Sequence, residues 1–162
     1  MCSLRHPNIT QLLAACSPSS DPPCPPLLVF EYMETGSLSN YVAATGELSL
    51  ATAHSIAVDT SLALVYLHSR HVAHLDVKTD NVFLDAYLRA KLGDLGLARK
   101  IDCFQTESMS FGLTGTPAFM APEVLKGAKV TTASDTYSFG FVLWEMVSGT
   151  KPFCGLSVTE VN

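Results

Sequence analysis

The stretch that decides the fold of this chain is H-L-D-V-K-T-D-N, at residues 74–81. It places a carboxylate at Asp76, an ammonium group two residues later at Lys78 and an amide three residues further on at Asn81. A second polar stretch, G-D-L-G, carries Asp94 between two glycines. Because glycine lets the backbone turn, the carboxylate of Asp94 is left free to reach a ligand. Both stretches interrupt an apolar background and mark the part of the chain that carries chemistry.

Two further polar stretches follow, and the order of all four matters more than any one of them. G-T-P-A-F-M-A-P-E occupies residues 115–123, and Ser134-Asp135 stands at the head of an apolar helical pattern. Taken together, the four stretches resemble the protein kinase signatures H-R-D-x-K-x-x-N, D-F-G and A-P-E. The resemblance extends to L-R-H-P-N-I at residues 4–9, F-E-Y-M at residues 30–33 and Y-L-H at residues 66–68, so it covers essentially the whole chain.

The details of these motifs indicate which kinases the chain resembles. Lys78 follows two residues after Asp76, and Thr116 precedes A-P-E in a G-T-P context, as in serine/threonine kinases. The amino-acid sequence of residues 115–125 and 134–146 is similar to that of the tyrosine-kinase-like group. The chain thus resembles a partial catalytic domain of the eukaryotic-type protein kinases.

This resemblance implies an α+β, protein kinase-like fold that consists mostly of the helical C-terminal lobe. The whole of residues 1–162 would be a partial kinase domain. Within it, residues 1–33 would form the end of the small lobe and the hinge. Residues 34–162 would form the large lobe up to its central buried helix.

The resemblance also implies phosphoryl transfer, in which positioning and charge stabilisation dominate. Asp76 would accept the proton of the substrate hydroxyl, and Lys78 would hold the γ-phosphate of ATP. Asn81 and Asp94 would bind Mg2+, a hard cation that takes oxygen ligands. Asp135 would hydrogen-bond the backbone of residues 74–81 and so hold Asp76 in place.

The nucleotide site implied by the resemblance lies between the hinge and the strands after residue 81. The adenine of ATP would meet backbone groups of Glu31 and Met33, with Phe30 behind the pocket and Phe83 as its floor. Lys78, Asn81 and Asp94 would complete the site at the phosphates. The expected cofactors are therefore ATP and Mg2+, and the expected partner is a protein substrate with a serine or threonine hydroxyl.

Two departures from the family pattern leave an alternative open. Leu75 stands where the family usually has the arginine that pairs with a phosphorylated activation loop, so loop phosphorylation is not expected to be the main switch. The 162 residues contain no glycine-rich phosphate loop and no V-A-I-K lysine, so we expect this chain alone to bind ATP poorly. The alternative is a non-catalytic kinase-like binding or regulatory module. The intact Asp76, Lys78, Asn81 and Asp94 favour an active serine/threonine kinase.

Composition narrows the classes of partner and location. The net charge is -5 and no basic stripe is present, which argues against a nucleic-acid partner. The best apolar run, residues 139–147, is about half of the 18 to 20 residues that a membrane span needs, so no span is expected. Five cysteines without a C-x-x-C pair indicate a reducing compartment and buried thiols. We expect a cytoplasmic location, or the cytoplasmic part of a larger protein.

Local patterns predict the elements that carry these motifs. Residues 27–32 read as a short buried strand, and residues 49–69 as a long helix with Ser49 as its N-cap. Residues 82–92 predict a hairpin, and residues 100–116 an exposed loop. A last helix, at residues 134–148, is apolar on nearly every side and is expected to lie in the middle of the fold, with Trp144 in the core.

Overall fold

The computed structural model describes residues 4–17, 19–20, 23–101, 116–128 and 130–154. Most of the predicted loop at 100–116 therefore lies outside the described residues. The strands are β1 (Leu12–Cys16), β2 (Ser19–Ser20), β3 (Pro23–Cys24), β4 (Leu27–Phe30), β5 (Gly36–Ser37), β6 (Val72–Ala73), β7 (Val82–Leu84), β8 (Ala90–Leu92) and β9 (Arg99–Lys100). The helices are α1 (Leu38–Thr45), α2 (Leu50–Ser69), α3 (Pro122–Leu125) and α4 (Thr132–Ser148), and short 3-10 turns lie at Thr79–Asn81, Leu95–Leu97 and Pro117–Phe119.

The strands form small antiparallel sheets, as expected for an α+β fold. β7 and β8 make the predicted hairpin, and β5 pairs with the outer edge of β7. β6 pairs with β9, which ties the segment before residue 74 to the segment after residue 96. The polar stretches of the candidate site therefore lie in the connections between these short strands: residues 74–81 between β6 and β7, and residues 93–96 between β8 and β9.

The strand predicted at residues 27–32 exists, but the expectation that it is buried is wrong. β4 pairs with β1, and its residues from Leu27 to Phe30 are 43% to 58% exposed. Apolar sequence alone does not bury a strand, since burial needs another layer packed on its face. Among the described residues, no such layer lies over β1 and β4.

The long helix α2 confirms the prediction made from its pattern. The Ser49 hydroxyl accepts a hydrogen bond from Thr52 N at 3.2 Å, which is N-cap geometry. By length and composition alone α2 could span a membrane, which the length of unbroken apolar runs did not predict. Its Ile56, Ala63 and Leu67 side chains are fully buried against the rest of the fold. The core helix of a soluble protein can have the same length and apolarity, so these two properties do not show that α2 spans a membrane.

The last helix, α4, begins two residues earlier than predicted and is only partly surrounded. Thr131 and Ser134 form a capping box at its start, and Gly149 ends it at φ 67. Val142 and Met146 are fully buried, whereas Trp144 is 43% exposed, so the prediction of Trp144 in the core is wrong. α4 packs against α2 and the segment around β6, and these cover one face of it.

One hydrophobic core joins these elements and supports the polar stretch at residues 74–81. Val77 is fully buried in that core together with side chains from α2, β7, β8 and α4. Ile9 adds a bridge to Leu92, so the segment at residues 4–9 packs onto β8. The alternation of buried Val77 with more exposed Asp76 and Lys78 fixes which side chains of the loop face outward.

Candidate active site

The segment at residues 74–81, which is named the catalytic loop after the kinase motif that it resembles, is anchored on the start of α4. Asp135, which is 1% exposed, accepts hydrogen bonds from His74 N at 2.9 Å and from Leu75 N at 2.8 Å. His68 Nε2 lies 2.8 Å from the same carboxylate. The bonds from His74 N and Leu75 N confirm the predicted bond from Asp135 to the loop backbone. They also hold Leu75 at φ 67, a left-handed conformation that is costly for leucine.

Two charged side chains of the loop, Asp76 and Lys78, meet together with Thr116. Lys78 Nζ lies 2.8 Å from Asp76 Oδ2 and donates to Thr116 Oγ1 at 2.8 Å. Thr116 Oγ1 in turn lies 3.4 Å from Asp76 Oδ1. Sequence reasoning used Thr116 only as a mark of acceptor type and missed this contact. Its place in G-T-P, just before A-P-E, was the available signal.

Asn81 completes this cluster from the far end of the loop. Its side-chain amide donates to the backbone carbonyl and to Oδ2 of Asp76, both at 2.9 Å. Its own backbone carbonyl accepts a bond from Gly93 N at 2.8 Å, next to Asp94. The structure therefore brings Asp76, Lys78 and Asn81 into direct contact, and Asp94 directly follows the residue whose amide donates to the Asn81 carbonyl.

Asp94 occupies the turn that the flanking glycines predicted. It has φ 54 and its Oδ1 accepts a bond from Gly96 N at 3.2 Å, while the side chain is exposed. A β-carbon at Gly93 would lie 2.8 Å from the Phe83 ring, so the close approach of these residues requires glycine there. Half-buried Phe83 thus packs directly against the backbone that leads into Asp94.

His74 lies fully buried behind this cluster and has the supporting position expected of it. Burial lowers the pKa of His74, against the opposing effects of the Gly93 carbonyl and of Asp135, Asp76 and Asp94. Its Nε2 lies 2.9 Å from the Gly93 carbonyl, which can only accept, so Nε2 carries the proton. Neutral Nδ1 then accepts from Asp76 N at 3.3 Å. One imidazole ring therefore joins the backbones before Asp94 and at Asp76.

The donor set at Asn81 and Asp94 fits Mg2+ in kind. Both residues present oxygens, and the Asn81 amide nitrogen is already committed to Asp76. No cluster of three or more His, Cys, Asp or Glu side chains able to hold a metal occurs among the described residues. Mg2+ bound through one or two protein groups and completed by phosphates and water needs no such cluster.

Residues 30–33, the expected hinge, lie at the end of β4 and are tied to β8. Lys91 Nζ lies 2.6 Å from Glu31 Oε2, and Gln11 N donates to Glu31 Oε1 at 2.7 Å. Glu31 N donates to the Gln11 carbonyl, and the Met33 carbonyl accepts from Gly36 N. These bonds engage the Glu31 amide and the Met33 carbonyl.

Other polar residues take structural or exposed positions. Asp80 is 47% exposed and lies 3.9 Å from Lys151, in keeping with a solvated loop charge. Glu123 accepts a hydrogen bond from Ser134 Oγ at 3.0 Å. The prediction of buried thiols is wrong for Cys16 and Cys154, which are exposed and unpaired. Both lie in surface segments outside the hydrophobic core.

Comparison with known proteins decides the family. The sequence profile described as protein tyrosine and serine/threonine kinase matches residues 1–162. The chain belongs to the protein kinase family. Its relatives include a probable L-type lectin-domain containing receptor kinase S.5 of Arabidopsis thaliana, 39% identical over 93% of the chain and 24% of that protein.

Other relatives in the kinase family agree. The serine/threonine/tyrosine-protein kinase HT1 of Arabidopsis thaliana is 38% identical over 97% of the chain and 39% of its own length. A probable serine/threonine-protein kinase, drkD of Dictyostelium discoideum, is 34% identical over 99% of the chain and 12% of its own length. The chain thus spans well under half the length of these kinase relatives.

Proposed function

We propose that this chain carries the catalytic part of an ATP-dependent protein kinase that transfers phosphate to serine or threonine hydroxyls. The observation that carries the proposal is the contact network of Asp76, Lys78, Asn81 and Thr116, with Asp94 beside it. Surface charges have no reason to converge from separate segments in this way. Phosphoryl transfer needs such convergence, because it depends on positioning and on charge stabilisation.

Each polar group of the network has a role that suits its chemistry. Asp76 is the proton acceptor for the substrate hydroxyl, and Asn81 orients its carboxylate through Oδ2. Lys78 offsets negative charge on the phosphate being transferred. Its ammonium group is held beside Asp76 and donates a bond to Thr116. Asp76 and Lys78 therefore form the catalytic pair.

A second set of residues would bind the cofactors. Asn81 and Asp94 hold Mg2+, which neutralises charge on the phosphates when bound. The Glu31 carbonyl and the Met33 amide meet the adenine, and Phe83 forms the apolar floor beside them. We further propose that residues 1–33 are the end of the small lobe and the hinge, and residues 34–162 the large lobe. Use of ATP and of a protein substrate fits a cytoplasmic location.

A non-catalytic kinase-like module is the second candidate function. The sequence observation that favours it is Leu75, which stands where the family usually has an arginine. Such a module would bind a partner without transferring phosphate. The two functions differ in whether phosphate appears on an acceptor, so one assay separates them.

The test uses the full-length protein, γ-labelled ATP and three peptide pools whose acceptor is serine, threonine or tyrosine. The proposal predicts label on the serine and threonine pools and much less on the tyrosine pool. It also predicts that Mg2+ tightens ATP binding in the wild type and that Asp94→Asn removes this gain while leaving Mg-free binding unchanged. Absence of label together with Mg-independent ATP binding would favour the non-catalytic module.

A further inference from the structure

We propose that Thr79 and Glu145 form a second anchor that positions the catalytic loop, an inference that rests on the proposed function. Thr79 Oγ1 donates to Glu145 Oε2 at 2.9 Å across 66 residues of sequence. Thr79 is fully buried and Glu145 is 2% exposed. Neither residue belongs to the network around Asp76, yet Thr79 lies directly after Lys78 and two residues before Asn81. The bond therefore reaches the loop at the point where its functional side chains diverge.

The spacing of the two anchors matches the length of the loop between them. Asp135 and Glu145 are ten positions apart on α4, which is about 15 Å at a rise of 1.5 Å per residue. The loop runs four positions from Leu75 to Thr79 and can span at most about 13 to 14 Å. Helix α4 thus holds the loop before Asp76 through Asp135 and after Lys78 through Glu145. Asp76 and Lys78 project from the span between these fixed points.

The surroundings of Glu145 suit an internal anchor and exclude direct contact with a protein substrate. Burial raises the pKa of Glu145, Asp80 adds to the rise, and the Thr79 bond and Lys151 oppose it. The next residue is also fixed, because fully buried Met146 accepts a bond from Leu48 N at 2.8 Å. The anchor therefore stands on a rigid part of α4. A substrate side chain cannot reach a carboxyl group that is 2% exposed.

Removing the Thr79 hydroxyl should loosen the loop without removing any group that touches ATP. Thr79→Val is expected to lower kcat about ten- to a hundredfold, because misplacing reacting groups by ~1 Å costs up to about a hundredfold. The KM for ATP should change by less than about threefold, since the adenine and Mg2+ contacts remain. Thr79→Ser restores the hydroxyl and should recover kcat to within about threefold.

A matched control separates positioning from general destabilisation. Thr60 is also fully buried and its Oγ1 donates at 2.8 Å, but to Ile56 within α2. Thr60→Val also removes a buried hydroxyl bond, one that stays within α2, and should change stability without changing kcat. Glu145→Gln keeps an oxygen that accepts the Thr79 bond, so it should retain kcat to within about threefold. If Thr79→Val fails to fold, Thr79→Ala removes the same hydroxyl without adding a methyl group beside Glu145.

Hydrogen exchange of the nucleotide-free, full-length protein gives a readout besides activity. Amides of the peptide at residues 78–82 should exchange faster in Thr79→Val and at the wild-type rate in Thr60→Val and Thr79→Ser. Unchanged kcat and unchanged exchange in Thr79→Val would overturn the anchor. If the wild type transfers no phosphate, the proposed function fails, and exchange alone still decides whether Thr79 and Glu145 position the loop.

Discussion

Replacing Asp135 with asparagine should loosen the catalytic loop more than it disturbs the rest of the fold. The Asp135 carboxylate accepts bonds from His74 N and Leu75 N and lies 2.8 Å from His68 Nε2. An asparagine side chain has one acceptor oxygen and one NH2 group. Whichever way it is oriented, its NH2 group faces at least one of the donors in the loop or His68. At least one buried N–H is therefore left without an acceptor.

The magnitude follows from these contacts. Loss of one charge-assisted bond costs about 1.5 to 3 kcal/mol, and the bonds that remain weaken to those of a neutral acceptor. We expect the free energy of unfolding to fall by about 3 kcal/mol. In a domain of about 150 to 250 residues, a loss of about 1 kcal/mol lowers Tm by about 2 to 4 °C, so the Tm should fall by about 6 to 12 °C.

A second buried aspartate provides the control. Asp59 is 3% exposed and accepts three bonds, two from Arg89 and one from Ala90 N. Because the Arg89 side chain is 63% exposed, water replaces the bonds it loses in Asp59→Asn. Calorimetry and hydrogen exchange of residues 73–76 should show a smaller drop in Tm and an unchanged loop for this variant. An Asp135→Asn protein that melts no lower than Asp59→Asn, with unchanged exchange at residues 73–76, would refute the reasoning.

Three other perturbations test separate features. Gly149→Ala should destabilise the fold more than Gly127→Ala, because both glycines have φ 67 but only at Gly149 would a β-carbon meet backbone, at 2.7 Å; equal Tm values would contradict the contact. Because the pKa of His74 is lowered in the fold, stability should fall as pH drops below 6.5, by up to about 1.4 kcal/mol per pH unit. Between pH 6.5 and 5, the free energy of unfolding measured by urea denaturation should depend less steeply on pH in His74→Gln than in the wild type. An identical dependence on pH in the two proteins would count against burial of a neutral imidazole. Leu75 replaces the usual arginine, so the full-length protein should keep nearly all its activity when the hydroxyl residues of the predicted loop at 100–116 are changed to alanine. These residues are Thr106, Ser108, Ser110 and Thr114. Loss of most activity would show that phosphorylation of this loop is the main switch.

The features predicted from the sequence are those set by local chemistry or by the motifs. A serine before an apolar helical pattern was enough to place the start of α2, because capping is a contact over three residues. The hairpin of β7 and β8 followed from two apolar strands and a short polar turn. The bond from Asp135 to the loop was expected from the family resemblance. Each of these depends on residues that the pattern itself names.

The features that the sequence missed depend on contacts between distant segments. Trp144 and the strand β4 are apolar, but their exposure is set by which elements pack on them. The contact of Thr79 with Glu145 joins two residues that no local period relates, and neither stands out by type. The same holds for Thr116, whose hydroxyl reaches Lys78 across 38 residues. Tertiary packing decides these contacts, so a local pattern of residues could not predict them.

The central claim is that Asp76 acts directly in phosphoryl transfer, and a comparison of two aspartates in one loop tests it. Single-turnover transfer of γ-phosphate to a serine peptide is measured for the full-length wild type, Asp76→Asn and Asp80→Asn. Asp76→Asn should slow transfer by at least about a hundredfold, the lower range for loss of a general base. Asp80→Asn should stay within about threefold of the wild type, since Asp80 is a solvated charge. Transfer by Asp76→Asn at the rate of Asp80→Asn would contradict the account.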